Sequence, residues 1–397
     1  MIRYLTAGES HGESLIGIVE GMPAGVAVDA AYVNNHLGRR WLGFGRGGRS
    51  KFERDAVHFY SGIRFGKTIG SPIALRIDNA AYRQDKSGWP TVMSVEPVPE
   101  DLLPNPVTLP RPGHADLVGT QKYRFSDIRP VIERSSARET AMRVACCSIA
   151  RQFLEHCGIR IASHVLRIGS IGYENSTEYA TVVGSLLENN GVDQINQLAD
   201  ASDVRILDKT LSEKAIEHIK EMKSRGDSLG GSYEVIVTGV PVGLGSYVHW
   251  DRRLDGILGQ AILSIQAQKA VEIGDGFDAA RNPGSLVHDE IIGPLSNPGR
   301  RSNRAGGIEG GVSTGQPIIV RGYMKPIPTL IKPLQTIDIQ TGESVETRYE
   351  RSDVTSVPAA STVAESTVAF ALANALLEKY GGDSMEEIEA RLRQDLR

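Results

Sequence analysis

Two histidines stand in glycine-containing segments beside charged residues, where an imidazole can take part in proton transfer. His114 lies in RPGHAD at 111–116, and His11 lies in GESHG at 8–12. Proline fixes its own φ and favours extended geometry in the residue before it, and glycine permits turns that other residues resist. RPGHAD therefore favours a shaped loop that places His114 for a task. The alternative is a surface histidine beside an unrelated arginine.

Charged side chains stand in five loop-like segments, four of which contain glycine, and together these segments indicate an anion site. Glycines let backbone N–H groups approach an anion, a guanidinium binds carboxylate or phosphate through two hydrogen bonds, and a helix N-terminus adds partial positive charge. One such segment alone is better explained by a solvated turn, but five in one net-acidic chain favour a shared polyanion site. The segments are GESHG at 8–12, GFGRGGRS at 43–50, RPGHAD at 111–116, RSSARET at 134–140 and GRRSNRAGGIEGG at 299–311.

Composition limits the partners of this site. The chain has 397 residues, of which 40% are hydrophobic and 23% charged, and a formal net charge of -4. Nucleic-acid and acidic-membrane binding need an excess of Lys and Arg over the whole surface, so both are disfavoured. The basic segments must then serve a small molecule. No composition break marks a domain boundary, so we expect a single domain over 1–397.

The cysteines indicate a reducing compartment. Cys146, Cys147 and Cys157 lack both the even count of a disulfide framework and the CxxC spacing of a zinc site. We therefore expect a cytoplasmic protein without a metal. The N-terminus shows no cationic segment followed by an apolar one, and no uncharged run approaches the roughly 18 residues of a membrane span. We expect neither export nor membrane insertion.

These segments need a scaffold, and the sequence predicts an α+β fold. Strand-like stretches interleave with helix-like ones without strict β-α-β alternation. The strand-like stretches are IRYLTA, LIGIVEG, ASHVLRIGSIG, SYEVIVTGVPV and QPIIVRGYM. The clearest helix begins after Ile132, where Ser136 and Glu139 fit an S-x-x-E capping box, and ends at Gly158. Further helices are predicted at about 29–42, 212–224, 254–272 and 358–380.

Seven motifs, in the same order along the chain, resemble those of the chorismate synthase family. They span about residues 3–380 and are GESHG, GRGGRS, RPGHAD, RSSARET, AGGIEGG, KPIPT at 325–329 and RSD at 351–353. Motifs of other classes do not fit. The sequence has no phosphate-binding P-loop, no dinucleotide fingerprint between a strand and a helix, and no GxSxG nucleophile elbow.

The resemblance implies a fold, a reaction and a cofactor. Members of the family form a single-domain β-α-β sandwich and assemble as homotetramers. They convert 5-enolpyruvylshikimate 3-phosphate to chorismate by a 1,4-anti elimination of phosphate and a ring hydrogen, the last step of the shikimate pathway. The reaction needs reduced FMN although it brings no net redox change. The substrate carries two carboxylates and a phosphate, which suits segments rich in arginine and glycine.

The resemblance also implies catalytic roles for three residues. His114 matches a histidine near the departing phosphate, where a proton donor is expected. His11 matches a second histidine that adjusts its protonation beside the reduced flavin. Asp353 matches an aspartate that assists removal of the ring proton through the flavin, and its alternative is a structural aspartate in a turn or at a helix N-terminus.

Ligand contacts follow from the same resemblance. The residues expected to bind the substrate or the phosphate of NADP are Arg40, Arg46, Arg49, Arg111 and Arg138. Lys325 suits the phosphate tail of FMN. The residues expected to line FMN are Arg134, Ser135, Ser136, Ala137, Gln266, Ala267, Gly310, Lys325, Pro326, Ile327, Pro328, Thr329 and Arg351.

Two other functions stay open on the sequence alone. A flavoprotein oxidoreductase with net electron transfer would need its own nicotinamide site. A non-catalytic anion-binding protein would leave two loop histidines and an aspartate without a task. The chain has no added domain, so we expect an external flavin reductant, with NADPH as an indirect source of electrons. Whether the protein reduces its own flavin stays open.

Overall fold

The computed structural model describes residues 1–45, 54–84, 87–296, 298–347 and 353–395. Within these ranges the strands are β1 Arg3–Ala7, β2 Ser14–Glu20, β3 Val57–Phe59, β4 Ile63–Arg64, β5 Lys67–Thr68, β6 Ile73–Asp78, β7 Arg160–Ile168, β8 Ile171–Gly172, β9 Gly231–Thr238, β10 Gln268–Ile273, β11 Ile291–Ile292, β12 Gly299–Arg300, β13 Ile308–Glu309, β14 Val312–Ser313, β15 Ile318–Met324, β16 Gln335–Ile337 and β17 Ser344–Glu346. The α-helices are α1 Ala30–Trp41, α2 Ala80–Arg83, α3 Trp89–Val92, α4 Asp116–Tyr123, α5 Arg129–Ser135, α6 Glu139–His156, α7 Ser176–Asn190, α8 Val192–Ala201, α9 Lys209–Ser224, α10 Leu254–Leu263, α11 Gly276–Ala279, α12 Gly284–Val287, α13 Val357–Tyr380 and α14 Met385–Asp395.

Two antiparallel sheets enclose a layer of helices, which confirms the α+β prediction. The first sheet has the strand order β1-β2-β6-β3, and the second has the order β10-β15-β9-β7-β8. Helix α6 packs on the first sheet, α13 packs on the second, and the two helices pack on each other. The chain thus forms a β-α-β sandwich with its main hydrophobic core between the sheets.

A glycine in β2 lets α6 approach the first sheet closely. Every second residue of β2 from Leu15 to Val19 is buried, as expected for a strand with one covered face. A Cβ on Gly17, in the middle of this buried set, would lie only 2.5 Å from Cys146 Sγ of α6. The absence of a side chain at this position therefore sets the distance between helix and sheet.

The helix α13 is apolar over most of its length and lies in the core. By length and composition it could cross a membrane, and 83% of its most apolar 18-residue window is buried inside the fold. Its buried Glu365 accepts hydrogen bonds from Arg39 at 2.6 and 2.8 Å and from Arg151 at 2.5 Å. Burial opposes ionisation of Glu365, but the arginines outweigh it and hold the pKa of its carboxyl below its usual value. This ion cluster joins α13 to α1 and α6.

Most predicted elements are confirmed, and two predicted helices differ from the structure. The five strand-like stretches form β1, β2, β7 with β8, β9 and β15, and α1, α9 and α13 match three predicted helices. The helix predicted over 254–272 ends at Leu263, and the chain continues into β10. Between them Ala267 takes a left-handed φ of 65°, and its carbonyl accepts a hydrogen bond from Lys325 N at 3.0 Å. A tertiary contact therefore ends a segment whose residues favour helix.

The helix predicted to begin after Ile132 is two helices, α5 and α6, with a break at 136–138. Ser136 Oγ accepts a hydrogen bond from Arg138 N at 3.3 Å. The Glu139 carboxylate does not complete the predicted capping box, because it accepts hydrogen bonds from Thr6 at 2.9 Å and Gln266 at 3.1 Å. The break places the N-terminus of α6 at the edge of the helical layer, where a cavity opens.

Candidate active site

A cavity of about 210 Å³ lies at the N-terminus of α6. Its walls come from the first turn of α6, the end of α1, the turn after α10 and the start of α13. A helix N-terminus attracts anions because its first N–H groups and its dipole present positive charge. The lining residues are Arg40, Trp41, Ser136, Ala137, Arg138, Thr140, Ile265, Gln266, Met324, Asp353, Ser356, Ala359, Ala360 and Val363.

Two buried arginines in the cavity wall share one carboxylate. Arg40 Nη2 lies 2.9 Å from one oxygen of Asp55, and Arg138 Nη1 lies 2.5 Å from the other. Burial opposes ionisation of Asp55, but the two guanidinium groups hold the pKa of its carboxyl below its usual value. Both guanidinium groups also lie near the ring of Trp41, at 4.7 and 5.9 Å from its centroid. The ionised Asp55 thus fixes two cations at the cavity.

Two buried polar atoms of the cavity wall have no hydrogen-bond partner among the described residues. They are Trp41 Nε1, a donor, and Gln266 Oε1, an acceptor. The Gln266 side chain is held in place because its Nε2 donates to Glu139 at 3.1 Å. Buried polar groups are normally paired, so a ligand that offers one acceptor and one donor would complete this wall.

A carboxylate and an aromatic ring hold His11 beside the cavity. Its backbone N–H donates to Glu133 Oε2 at 3.0 Å, and its ring Nδ1 lies 2.8 Å from the same oxygen. The imidazole stacks on Trp89 with ring centroids 3.9 Å apart. Burial opposes ionisation of Glu133, but His11 and Arg129 keep the pKa of its carboxyl below its usual value. An ionised Glu133 requires a proton on Nδ1, which directs Nε2 away from this pair.

His114 is held by a second buried carboxylate, Asp116, in the same loop. The imidazole Nδ1 lies 2.5 Å from one oxygen of Asp116. The other oxygen accepts hydrogen bonds from Arg111 N at 3.0 Å and from Arg111 Nε at 2.8 Å. Burial opposes ionisation of Asp116, but His114 and Arg111 hold the pKa of its carboxyl below its usual value. Both predicted catalytic histidines therefore have an ionised carboxylate at Nδ1.

The segment 325–329 connects the His114 loop to the cavity. It follows directly on β15, whose last residue lines the cavity. Lys325 Nζ donates to the carbonyl of Gly113, and Arg111 Nη1 donates to Thr329 Oγ1 at 2.9 Å. The RPGHAD and KPIPT motifs are therefore in direct contact, although they lie more than two hundred residues apart in the sequence.

Several predicted site residues share the cavity, and others lie at its edge or beyond it. Arg134 lies at the end of α5, where its guanidinium donates to Gly8 O at 3.0 Å, and Ser135 Oγ donates to Val131 O at 2.6 Å. The predicted residues that line the cavity are Arg40, Ser136, Ala137, Arg138, Gln266 and Asp353.

Gly310 lies apart from the cavity. It is in the turn between β13 and β14. The carbonyl of the next residue, Gly311, accepts a hydrogen bond from Leu254 N at the start of α10, whereas Gln266 follows the last turn of that helix. The 10 residues of α10 make a helix about 15 Å long between the two. The contact of Gly310 with FMN stays a prediction. Arg46, Arg49 and Arg351 lie outside the described residues, and their roles also stay predictions.

Comparison with known proteins identifies the family. The family model of chorismate synthase matches residues 2–377. The chain belongs to the chorismate synthase family. The chorismate synthase of Salinibacter ruber is 61% identical over 401 residues, which cover 100% of this chain and 98% of that protein. That of Prosthecochloris aestuarii is 54% identical, covering 99% and 97%. A solved chorismate synthase crystal structure has a TM-score of 0.78 and 40% identity, covering 99% of this chain and 96% of that one.

Some residues that hold the candidate active site were missed by sequence reasoning. Glu133 directly precedes the RSSARET motif and Asp116 ends RPGHAD, so their proximity to a motif was the available signal. Trp41 and Asp55 flank the GFGRGGRS segment at a greater distance. Asn79 follows β6 and contacts both the GESHG turn and Arg138, and no motif pointed to it.

Proposed function

We propose that the cavity at the N-terminus of α6 is where the protein eliminates phosphate from 5-enolpyruvylshikimate 3-phosphate, with reduced FMN bound beside the substrate. One observation carries the proposal. A helix N-terminus, two buried arginines and two buried polar atoms without a partner among the described residues all face the same cavity. Such a wall suits ligands that bring phosphate, carboxylate and ring amide groups.

The residues at the cavity fit a flavin. An isoalloxazine ring presents donors and acceptors along one edge, which complement Gln266 Oε1 and Trp41 Nε1. Ser136 and Ala137 lie at the helix N-terminus beside them, and Lys325 lies where a cation could meet the phosphate tail. Reduced FMN, when bound, supplies electron density for phosphate departure and regains it, so that no net redox change results.

Arg40 and Arg138 are the anion ligands that the described cavity wall supplies. They share Asp55, so two cations and one anion leave this cluster with a single net positive charge. A substrate with two carboxylates and a phosphate needs more positive charge than this. We infer that the predicted ligands Arg46 and Arg49 contribute the remainder.

His114 is the proposed proton donor to the departing phosphate. Asp116 holds the Nδ1 proton and stabilises the protonated ring, so Nε2 is the nitrogen that donates. Arg111 binds the same carboxylate and places a second cation in the loop. A proton donor and a cation at one leaving group neutralise charge as the C–O bond breaks.

The other two catalytic residues act at the ring and at the flavin. Asp353 lines the cavity, and its carboxylate accepts a hydrogen bond from Ser356 Oγ at 3.1 Å, so it is proposed to assist removal of the ring proton through the flavin. His11 is the proposed partner of the flavin, because its turn contacts the cavity wall where Ser136 Oγ donates to Ser10 Oγ at 3.2 Å.

The enzyme is proposed to act as a cytoplasmic homotetramer that receives reduced flavin from an external reductant, with NADPH as the indirect electron source. The outer face of the first sheet supports association, because Leu5, Ile16 and Ile18 expose 70%, 46% and 42% of their surface. A cluster of exposed apolar side chains on one sheet face is typical of a protein interface.

Anaerobic turnover with photoreduced FMN tests the proposed function. We expect many molecules of chorismate and phosphate per enzyme while the flavin stays reduced. His114→Ala should lower turnover about 10²- to 10⁴-fold, the usual contribution of one general acid, with FMN binding nearly intact. Oxidation of one flavin per product would instead support the oxidoreductase.

A further inference from the structure

Asn79 is fully buried where β6 meets α2. It occupies the N-cap position of α2, but its side chain makes no capping hydrogen bond there. Asparagine at this position ordinarily accepts a hydrogen bond from the first turn of the helix. The amide of Asn79 is instead directed into the protein, towards the candidate active site.

This amide joins two parts of the site. Its Nδ2 donates to Glu9 O at 3.2 Å and to Gly12 O at 2.7 Å, the carbonyls on either side of His11. Its Oδ1 accepts a hydrogen bond from Arg138 Nε at 2.9 Å. Both donors and the acceptor of one side chain are therefore used to connect the histidine turn to an arginine of the cavity wall.

We propose that Asn79 is a positioning residue that sets the location of His11 relative to Arg138. The inference rests on the roles proposed above for those two residues. Glu133 binds the imidazole and the backbone N–H of His11, and Trp89 stacks on the ring. Asn79 binds two carbonyls of the same turn and joins them to Arg138. Asp55 holds Arg138 in place, so the position of the His11 turn depends on the anion site rather than on the protein surface.

The chemistry of the amide explains why an isosteric acid cannot replace it. An aspartate at 79 would keep the bond to Arg138 and would strengthen it by charge. It has no N–H, however, so its second oxygen would face the carbonyls of Glu9 and Gly12 at the present distances of 3.2 and 2.7 Å. The turn would have to move, while the arginine would stay in place.

Asn79→Asp in the full-length enzyme tests this inference. A catalytic group displaced by about 1 Å can cost ~10²-fold in rate, so we expect kcat to fall by about that factor while KM for substrate stays nearly unchanged. Diethyl pyrocarbonate should modify His11 faster than in the wild type, measured by mass spectrometry against His249, whose side chain is 61% exposed. If the aspartate variant does not fold, Asn79→Ser keeps one donor and should show the same pattern with a smaller effect.

Asn196→Asp is the matched control. Asn196 Nδ2 donates to Ile161 O at 2.9 Å and its Oδ1 accepts from Arg39 Nη2 at 2.7 Å, the same pairing of a carbonyl and an arginine away from the cavity. We expect this variant to lose comparable stability and to keep the wild-type kcat and the wild-type modification rate of His11.

The His11→Ala background separates positioning from a merely structural role. If Asn79 acts through His11, Asn79→Asp should cost less than about 2-fold in kcat once the imidazole is absent, because effects on one functional unit are not additive. An equal loss in both backgrounds, or an unchanged modification rate of His11, would overturn the inference. If His11→Ala alone keeps the wild-type kcat, the proposed role of His11 fails, and the modification rate still decides whether Asn79 positions the turn.

Discussion

Replacing Asp116 with Asn should impair phosphate departure without impairing flavin binding. Asp116, with 1% of its side chain exposed, accepts hydrogen bonds from His114 Nδ1 at 2.5 Å and from Arg111 Nε at 2.8 Å. Asparagine offers one acceptor oxygen and one NH₂ group. When the asparagine oxygen faces Arg111, its NH₂ group faces His114 Nδ1 and disfavours the protonated imidazole. In the reversed orientation the NH₂ group faces the guanidinium of Arg111.

The magnitude follows from the lost hydrogen bond. A hydrogen bond to a charged group contributes about 1.5 to 3 kcal/mol. At 1.4 kcal/mol for each factor of ten, the rate of phosphate release should fall about 10- to 10²-fold, at or below the loss expected for His114→Ala. The free energy of unfolding should fall by about 2 kcal/mol, because Arg111 keeps part of its partners.

Single-turnover phosphate release under anaerobic conditions with reduced FMN is the assay. Asp289→Asn is the control, because Asp289 also accepts several hydrogen bonds, from Ser302 Oγ at 2.5 Å and from two backbone N–H groups, and it lies outside the cavity. The control should release phosphate at the wild-type rate. A wild-type rate in Asp116→Asn, or losses that add in the Asp116→Asn, His114→Ala double variant, would refute the role given to this pair.

Three further outcomes are expected. Burial, together with neighbouring arginines, lowers the pKa of His36 to about 2. Below the ordinary pKa of ~6.5 only the unfolded chain binds this proton, so the free energy of unfolding falls by about 1.4 kcal/mol for each pH unit of acidification. Urea unfolding of His36→Gln should therefore depend less on pH between about pH 6.5 and 5 than that of the wild type. Glu365→Gln should cost about 3 to 5 kcal/mol of unfolding free energy, because it leaves buried arginines without their counter-charge. The exposed pair of Arg252 and Glu378 is its control, and Glu378→Gln should cost less than about 1 kcal/mol. Arg49→Lys should raise KM for substrate with the fold intact, since lysine lacks the planar fork, and an unchanged KM would contradict the assignment.

Local sequence patterns predicted much of the fold because the two sheets and α13 carry long apolar runs. The apolar stretch of α13 ends at Gly381, which the structure places at the C-cap with a φ of 60°. The error at 254–272 has a different cause. Helix formers such as Gln266 and Lys269 continue beyond the true end of α10. The left-handed Ala267 is stabilised by a hydrogen bond from Lys325, a residue too distant in sequence for a local pattern to include.

Contacts between site residues were predictable from local sequence only where the two residues are close along the chain. His114 and Asp116 are two residues apart, so RPGHAD already contained the pair. His11 and Glu133 are 122 residues apart, and Asn79 and Arg138 are 59 apart, so only the folded chain brings them together. Gln266 was expected from the family resemblance, but its buried acceptor atom becomes evident only in the structure.

The affinity for reduced FMN, measured with and without substrate in the wild type and in Gln266→Leu, tests most directly whether both ligands share the cavity at the N-terminus of α6. We expect substrate to tighten FMN binding in the wild type and FMN to tighten substrate binding by the same factor, because coupling between sites is reciprocal. Loss of one hydrogen bond of about 1 kcal/mol should weaken FMN binding to Gln266→Leu about 5-fold. An FMN affinity that neither substrate nor the substitution changes would place the flavin elsewhere and contradict the account.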